Sequence, residues 1–143
     1  MKYYMMLFCL LTIVTACGGP SVAIEVDPEQ TRIIHEEQID MISVFVRLEN
    51  NGQIPANDLT ARFLIHEPTI ESAVGGSEIV FTDHEHTPEI FQVNANSSFF
   101  FAEVFSLETD VTNELLSGSF TVQIMDRQGE IIADYLIEQV TNE

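Results

Sequence analysis

The chain is poor in positive charge. Five lysine and arginine residues stand against 23 aspartates and glutamates among 143 residues, a formal net charge of −18. A field of that sign repels phosphate backbones and anionic headgroups, so nucleic-acid binding is not expected. Cysteine is scarcer still: Cys9 and Cys17 both fall near the start. The rest of the chain can form no disulfide and must be held by its hydrophobic core, which an apolar content of 45% allows. Long apolar runs are missing too. The stretch Met5–Leu11, extended by Thr12-Ile13-Val14, falls short of the ~20 residues a membrane-crossing helix needs. Catalytic patterns are absent: there is no G-x-S-x-G elbow, and Gly75-Gly76 reads as a turn rather than a phosphate cradle. The abundant carboxylate pairs carry no information in so acidic a chain, and no enzyme is expected.

What is present begins with the N-terminus. Lys2, the apolar run, and then Val14-Thr15-Ala16-Cys17 resemble a bacterial lipoprotein signal peptide with its lipobox. The resemblance implies that residues 1–16 are a removed signal peptide. Cys17 is then the lipidation site and the new N-terminus, and residues 17–21 form a short lipid-anchored tether ahead of one domain over 22–143. Two or more acyl chains anchor stably where one is marginal. Gly18, rather than Asp, follows the cysteine. By resemblance to the enterobacterial sorting rule, this implies an outer-membrane protein of the cell envelope facing the periplasm. The rival reading is an ordinary secretory signal that leaves Cys17 as a free thiol.

Cleavage removes Lys2 and leaves Arg32, Arg47, Arg62 and Arg127 against 23 carboxylates, a formal −19. Two readings of this acidity stand open. One is a salt-adapted envelope protein kept soluble by dispersed carboxylates. The other is cation binding, or docking to a basic partner.

From Val22 onward the chain reads as short strands between turns. Val22, Ile24 and Val26 alternate up to Asp27-Pro28. Ile42, Val44, Val46 and Leu48 share one face, with Ser43, Phe45, Arg47 and Glu49 on the other. Leu59, Ala61, Phe63 and Ile65 repeat the pattern against Thr60, Arg62 and Leu64. Further strands are expected over Glu78–Thr82, around Ile90–Val93, over Phe99–Leu107, at Phe120–Ile124 and over Ile131–Val140. Asp126-Arg127-Gln128-Gly129 suits a tight hairpin. One helical turn fits Asp110–Ser117, capped by Asp110 or Thr112, with Leu115-Leu116 tucked beneath the sheets. About seven strands and no long helical pattern predict an all-β, antiparallel β-sandwich.

Val44 to Gly52 followed by Ile54 to Phe63 resembles the strand–turn–strand of bacterial immunoglobulin-like domains of the CARDB kind, with Asn50-Asn51-Gly52 as the turn. That resemblance implies an immunoglobulin-like sandwich acting in adhesion, spacing or scaffolding. A transthyretin-like sandwich is the alternative, since the chain departs from the pattern after Pro68.

Two clusters remain. If Asp83-His84-Glu85-His86 is extended, His84 and His86 point to one side and could share a Zn²⁺ or Cu²⁺, with His66, Glu67 or Glu89 assisting. The competing reading is a solvated loop, and no resident metal or cofactor is expected. In Phe99-Phe100-Phe101 alternate rings must face opposite ways, so one side of the strand carries an aromatic ring outward. Either the segment Ile70–Val74 covers that ring, or a partner does. The expected function is a lipid-anchored interaction or structural module whose partner is another envelope protein. The alternative is a periplasmic divalent-cation-binding protein.

Overall fold

A computed structural model describes residues 18–142; Cys17 and the expected signal peptide lie outside the described residues. The strands are β1 (Ile24–Val26), β2 (Arg32–Glu36), β3 (Met41–Asn50), β4 (Ala56–Ile65), β5 (Glu78–Val80), β6 (Phe91–Val93), β7 (Ser97–Ser106), β8 (Phe120–Met125), β9 (Ile131–Ile137) and β10 (Val140–Asn142). Two short helices, α1 (Pro68–Val74) and α2 (Asn113–Leu116), and a 3₁₀ turn over Glu37–Ile39 complete the described elements.

The strands form two sheets. In the first, β3 runs antiparallel to β7 along its whole length. Its other side is shared by β1, against Leu48–Asn50, and β2, against Met41–Phe45. In the second sheet β4, β8 and β9 pair in that order, β5 lies on the far side of β4, and β6 pairs with the start of β4. The result is an all-β sandwich of two five-stranded sheets.

Strict alternation produces this packing. Ile42, Val44, Val46 and Leu48 are buried and face Leu59, Ala61, Phe63, Ile65, Phe120, Val122 and Ile124 from the opposite sheet. One face of each sheet thereby leaves water. Phe63 sits centrally, with ring centroids 6.2 Å from Phe101, 6.3 Å from Phe105 and 6.5 Å from Phe120.

The β3–β4 turn is built around one buried side chain. Asn50 Oδ1 accepts from the Gly52 amide at 2.9 Å and the Ala23 amide at 3.3 Å. Its Nδ2 donates to the carbonyls of Ile54 at 2.9 Å and Val93 at 3.1 Å. A side chain at position 52 would collide with the Ser21 carbonyl and lie 2.7 Å from the Ala23 nitrogen. The asparagine and glycine of that turn therefore serve packing: they seat β1 and the β6 end against the hairpin.

Two expectations need correction, and one strand was not expected at all. Arg32–Glu36 shows no alternation of the expected kind, yet forms β2, because Ile33, Ile34 and His35 are all buried. The segment after Pro68 is not a loop over an aromatic ring but helix α1. Glu67 caps it, accepting from the Ile70 amide at 2.9 Å, Gly75 closes it at φ 92°, and Ile70 is driven fully into the core. The expected last strand, Ile131–Val140, is two strands. β9 belongs to the second sheet, whereas β10 crosses over and pairs parallel with β2 in the first, the one parallel pairing among the described residues.

Ten strands are described where about seven were expected, and β5 stops at Val80 rather than Thr82, whereas two other local expectations hold. Asp126 Oδ1 accepts from the Gln128 and Glu130 amides, and Gly129 takes φ 82°, closing the β8–β9 hairpin. Thr112 caps α2 by accepting from the Leu115 amide, and Leu116 is buried.

Candidate interaction face

The strand phase that buries Val44 and Val46 turns Phe45 and Arg47 to the outside. On the same outer face β7 presents Phe100, 59% exposed, and Val104, 50% exposed. The register places Arg32 directly opposite Phe45, and Phe100 directly opposite Arg47. Phe45 and Phe100 are thus diagonal neighbours, within the reach of long side chains across a sheet. Their rings stack at 5.5 Å between centroids and 21° between planes. The Arg32 guanidinium lies 6.0 Å from the Phe45 centroid, within the range of a cation–π contact.

The two arginines of this face differ. Arg47 Nε lies 3.5 Å from Asp27 Oδ2, and one terminal nitrogen lies 3.5 Å from Glu49 Oε1, so its charge is neutralised locally. Arg32 has no carboxylate within ion-pair distance among the described residues. Between them, with Gln30, Ser98 and the two rings, lies a cleft of roughly 270 Å³. The turn behind it is stiff. Asp27 Oδ1 accepts from the Glu29 and Gln30 amides, the Asp27 carbonyl accepts from the Thr31 amide, and the buried Thr31 hydroxyl accepts from the Arg47 amide. An exposed Phe100 stacked on a half-buried Phe45, with a guanidinium that no carboxylate pairs among the described residues, can take up a side chain with an apolar body and an acidic tip.

Of the phenylalanine run, Phe101 is buried, Phe99 is partly buried against Phe91 at 4.6 Å, and Phe100 alone turns outward. The segment Ile70–Val74 does not cover it, since α1 packs its Ile70 and Ala73 into the core.

The Asp83–His86 cluster is not extended. Asp83 Oδ1 accepts from the Glu85 amide at 2.8 Å and the Thr87 amide at 3.1 Å, and Oδ2 accepts from the Thr87 hydroxyl at 2.6 Å. These bonds, led by the Thr87 hydroxyl, hold the Asp83 carboxyl below its usual range. His86 takes φ 62°, so the shared side for two imidazoles does not arise. No group of three His, Cys, Asp or Glu side chains converges among the described residues.

A larger cleft of roughly 650 Å³ opens at one end of the sandwich, beside His35, Glu37, Asp40, Asp110 and Asn113. Its histidine is committed to structure. His35 Nδ1 and Asn113 Oδ1 lie 2.8 Å apart, Asn113 Nδ2 donates to Asn142 Oδ1, and Asn142 Nδ2 donates to Glu37 Oε1 at 3.1 Å. The relay ties α2, β10 and the 3₁₀ turn to β2. Sequence reasoning missed it because its members span Asn142 to His35 and meet only through the β10 crossover.

No family model matches the chain, and no curated protein does. Solved structures similar to it in architecture include the CARDB domain of a Pyrococcus furiosus protein, solved in complex with di-metal ions. It is 9% identical, with 85% of this chain and 94% of that one covered and a TM-score of 0.43. Another is the ligand-binding region of serine-glutamate repeat protein A of Enterococcus faecium. It is 14% identical, covering 86% of this chain and 97% of that one, with a TM-score of 0.44.

Proposed function

We propose that this chain is a lipid-anchored lipoprotein of the bacterial cell envelope that works as a protein-interaction module. Its docking face is the outer surface of the first sheet, around Phe45, Phe100 and Arg32. One observation carries the reading: Phe100 stands exposed to water, stacked on a half-buried Phe45 beside Arg32, on a strongly acidic protein. Exposed aromatics beside arginine are the side chains from which binding hot spots are built. The anchor at Cys17 and a periplasm-facing outer-membrane location belong to the same proposal and rest on the lipobox resemblance.

Two measurements test it in the bacterium itself. A photo-crosslinking residue at position 100 is expected to trap a discrete envelope partner, while one at position 134, on the outer face of the second sheet, traps none. Equal trapping at both sites, or none at position 100, overturns the docking face. Cys17→Ser is expected to abolish fatty-acid labelling and membrane fractionation; unchanged labelling overturns the anchor.

A further inference from the structure

The first sheet ends in an open edge. β7 is paired with β3 on one side only, and over its ten residues no backbone hydrogen bond is made on the other side among the described residues. An edge of this length offers a row of free N–H and C=O groups to any strand that can lie beside it.

One side chain controls who can. The register sets Glu103 opposite Val44, so this carboxylate faces the inner side of the sandwich, between buried Phe101 and Phe105. It has no hydrogen bond or ion pair among the described residues, and desolvation raises its pKa. Such a charge is tolerable at an edge because it can reach water past the rim. A strand added beside β7 would close that route and bury the charge, which is how inward-pointing charges guard open edges. The guard is selective, however. A residue directly opposite Glu103 on the added strand would share its face at close Cβ distance, and a cation there would neutralise what any other residue would strand.

We propose that β7 accepts an added β-strand from a partner protein, and that the strand carries a lysine or arginine opposite Glu103. A second copy of this chain is the wrong occupant, since β7 contains no base and each copy carries the same large negative charge. Main-chain hydrogen bonds supply the affinity and the pair at Glu103 supplies the choice. This edge is distinct from the Arg32–Phe45–Phe100 cleft, although Phe100 borders both.

The test uses the full chain in detergent and three synthetic strand peptides of alternating threonine and valine. One has a central arginine, one a central glutamate, and one the arginine with its alternate amides N-methylated. The arginine peptide is expected to slow hydrogen exchange at β7 amides, the glutamate peptide to bind about tenfold more weakly or worse, and the methylated peptide not to bind. Glu103→Gln is expected to bring the arginine and glutamate peptides within about twofold of each other. Arg32→Ala, which breaks the outer cleft, leaves the arginine peptide's affinity unchanged, so failure of the cleft and failure of the edge are told apart. Equal binding of the arginine and glutamate peptides to the unaltered chain overturns the proposal. So does binding that survives N-methylation, or an absence of protection in β7. Self-association of Glu103→Gln with no peptide preference in the unaltered chain also overturns it, leaving Glu103 as a guard alone.

Discussion

The two outer faces of the sandwich use arginine in opposite ways. On the second sheet Arg62 is enclosed by polar neighbours: Nε donates to Gln123 Oε1 at 2.8 Å and a terminal nitrogen donates to Glu78 Oε1 at 3.0 Å. Its charge and two of its nitrogens are matched within its own sheet. On the first sheet Arg32 lies over the half-buried Phe45 ring with no carboxylate partner among the described residues, and Phe45 in turn stacks on the exposed Phe100. Both side chains lie on outward faces, Arg62 within β4 and Arg32 at the start of β2. What differs is the neighbouring residue: glutamate and glutamine beside one, phenylalanine beside the other. The second face is finished; the first is open.

That contrast can be broken by mutation. The largest effect is expected where the first sheet's inner and outer faces are compared directly. Val46→Asp buries an unpaired carboxylate in the core and should cost about 3–5 kcal/mol, enough to unfold a marginal domain. Phe45→Asp, one residue along, should cost about 1 kcal/mol through lost stacking and added repulsion. Urea denaturation orders the two. If Phe45→Asp proved as damaging as Val46→Asp, the first sheet's outer face would be packed rather than open, and the contrast would collapse.

A smaller effect sharpens it. Arg62→Ala should lower stability by about 1 kcal/mol, because Gln123 and Glu78 lose their common partner, whereas Arg32→Ala should change it by about 0.5 kcal/mol or less. Crosslinking at position 100 should respond in the opposite order. A larger stability loss from Arg32→Ala would assign that residue to the fold rather than to recognition.

Smaller still are the pH effects. Glu103, held above its usual range by burial, binds protons more readily in the folded chain than in the unfolded one. Its charge therefore costs stability fully above the raised pKa; the cost fades as pH falls through that value and is gone below the unfolded one. Glu103→Gln should be more stable than the unaltered chain at neutral pH, with the gap closing by about pH 4. A gap that widens on acidification would place the carboxylate in a favourable pair instead. Asp83 has the opposite sign. Its lowered pKa gives the turn stability that is present above 3.8 and lost as pH falls through the folded value. The readout is local: the Glu85 and Thr87 amides should begin to exchange faster there, while global unfolding is unaffected.

Legibility in the sequence followed one rule. Where a strand has one wet and one dry face, as in β3 and β4, alternation announced it, and the core list from Ile42 to Ile65 could be read directly. Where burial lies on both faces the signal vanished, as in Arg32–Glu36. α1 was hidden by its brevity and by a glutamate cap, a residue that rarely advertises a helix start. The crossover at Glu138-Gln139 left no mark because an apolar run reads the same whichever sheet receives it. For the candidate site, the alternation within Phe99–Phe101 required some ring to face outward. Only the register with β3 decided that it was Phe100, and only three-dimensional pairing showed that Arg32 stands beside the ring's partner.

The parallel seating of β10 on β2 has a kinetic consequence. Thr141 pairs with Ile34, so the first sheet is completed by a contact between residues more than 100 positions apart in the sequence. Contacts of such sequence separation form late, after the entropy of ordering the intervening residues has been met. A chain leaving a ribosome N-terminus first has β1 and β2 outside long before residues 140–142 follow. Until then β2 lacks its outer neighbour, and the His35–Asn113–Asn142–Glu37 relay lacks its third member. Completion of the first sheet on the β2 side therefore waits for residues 140–142.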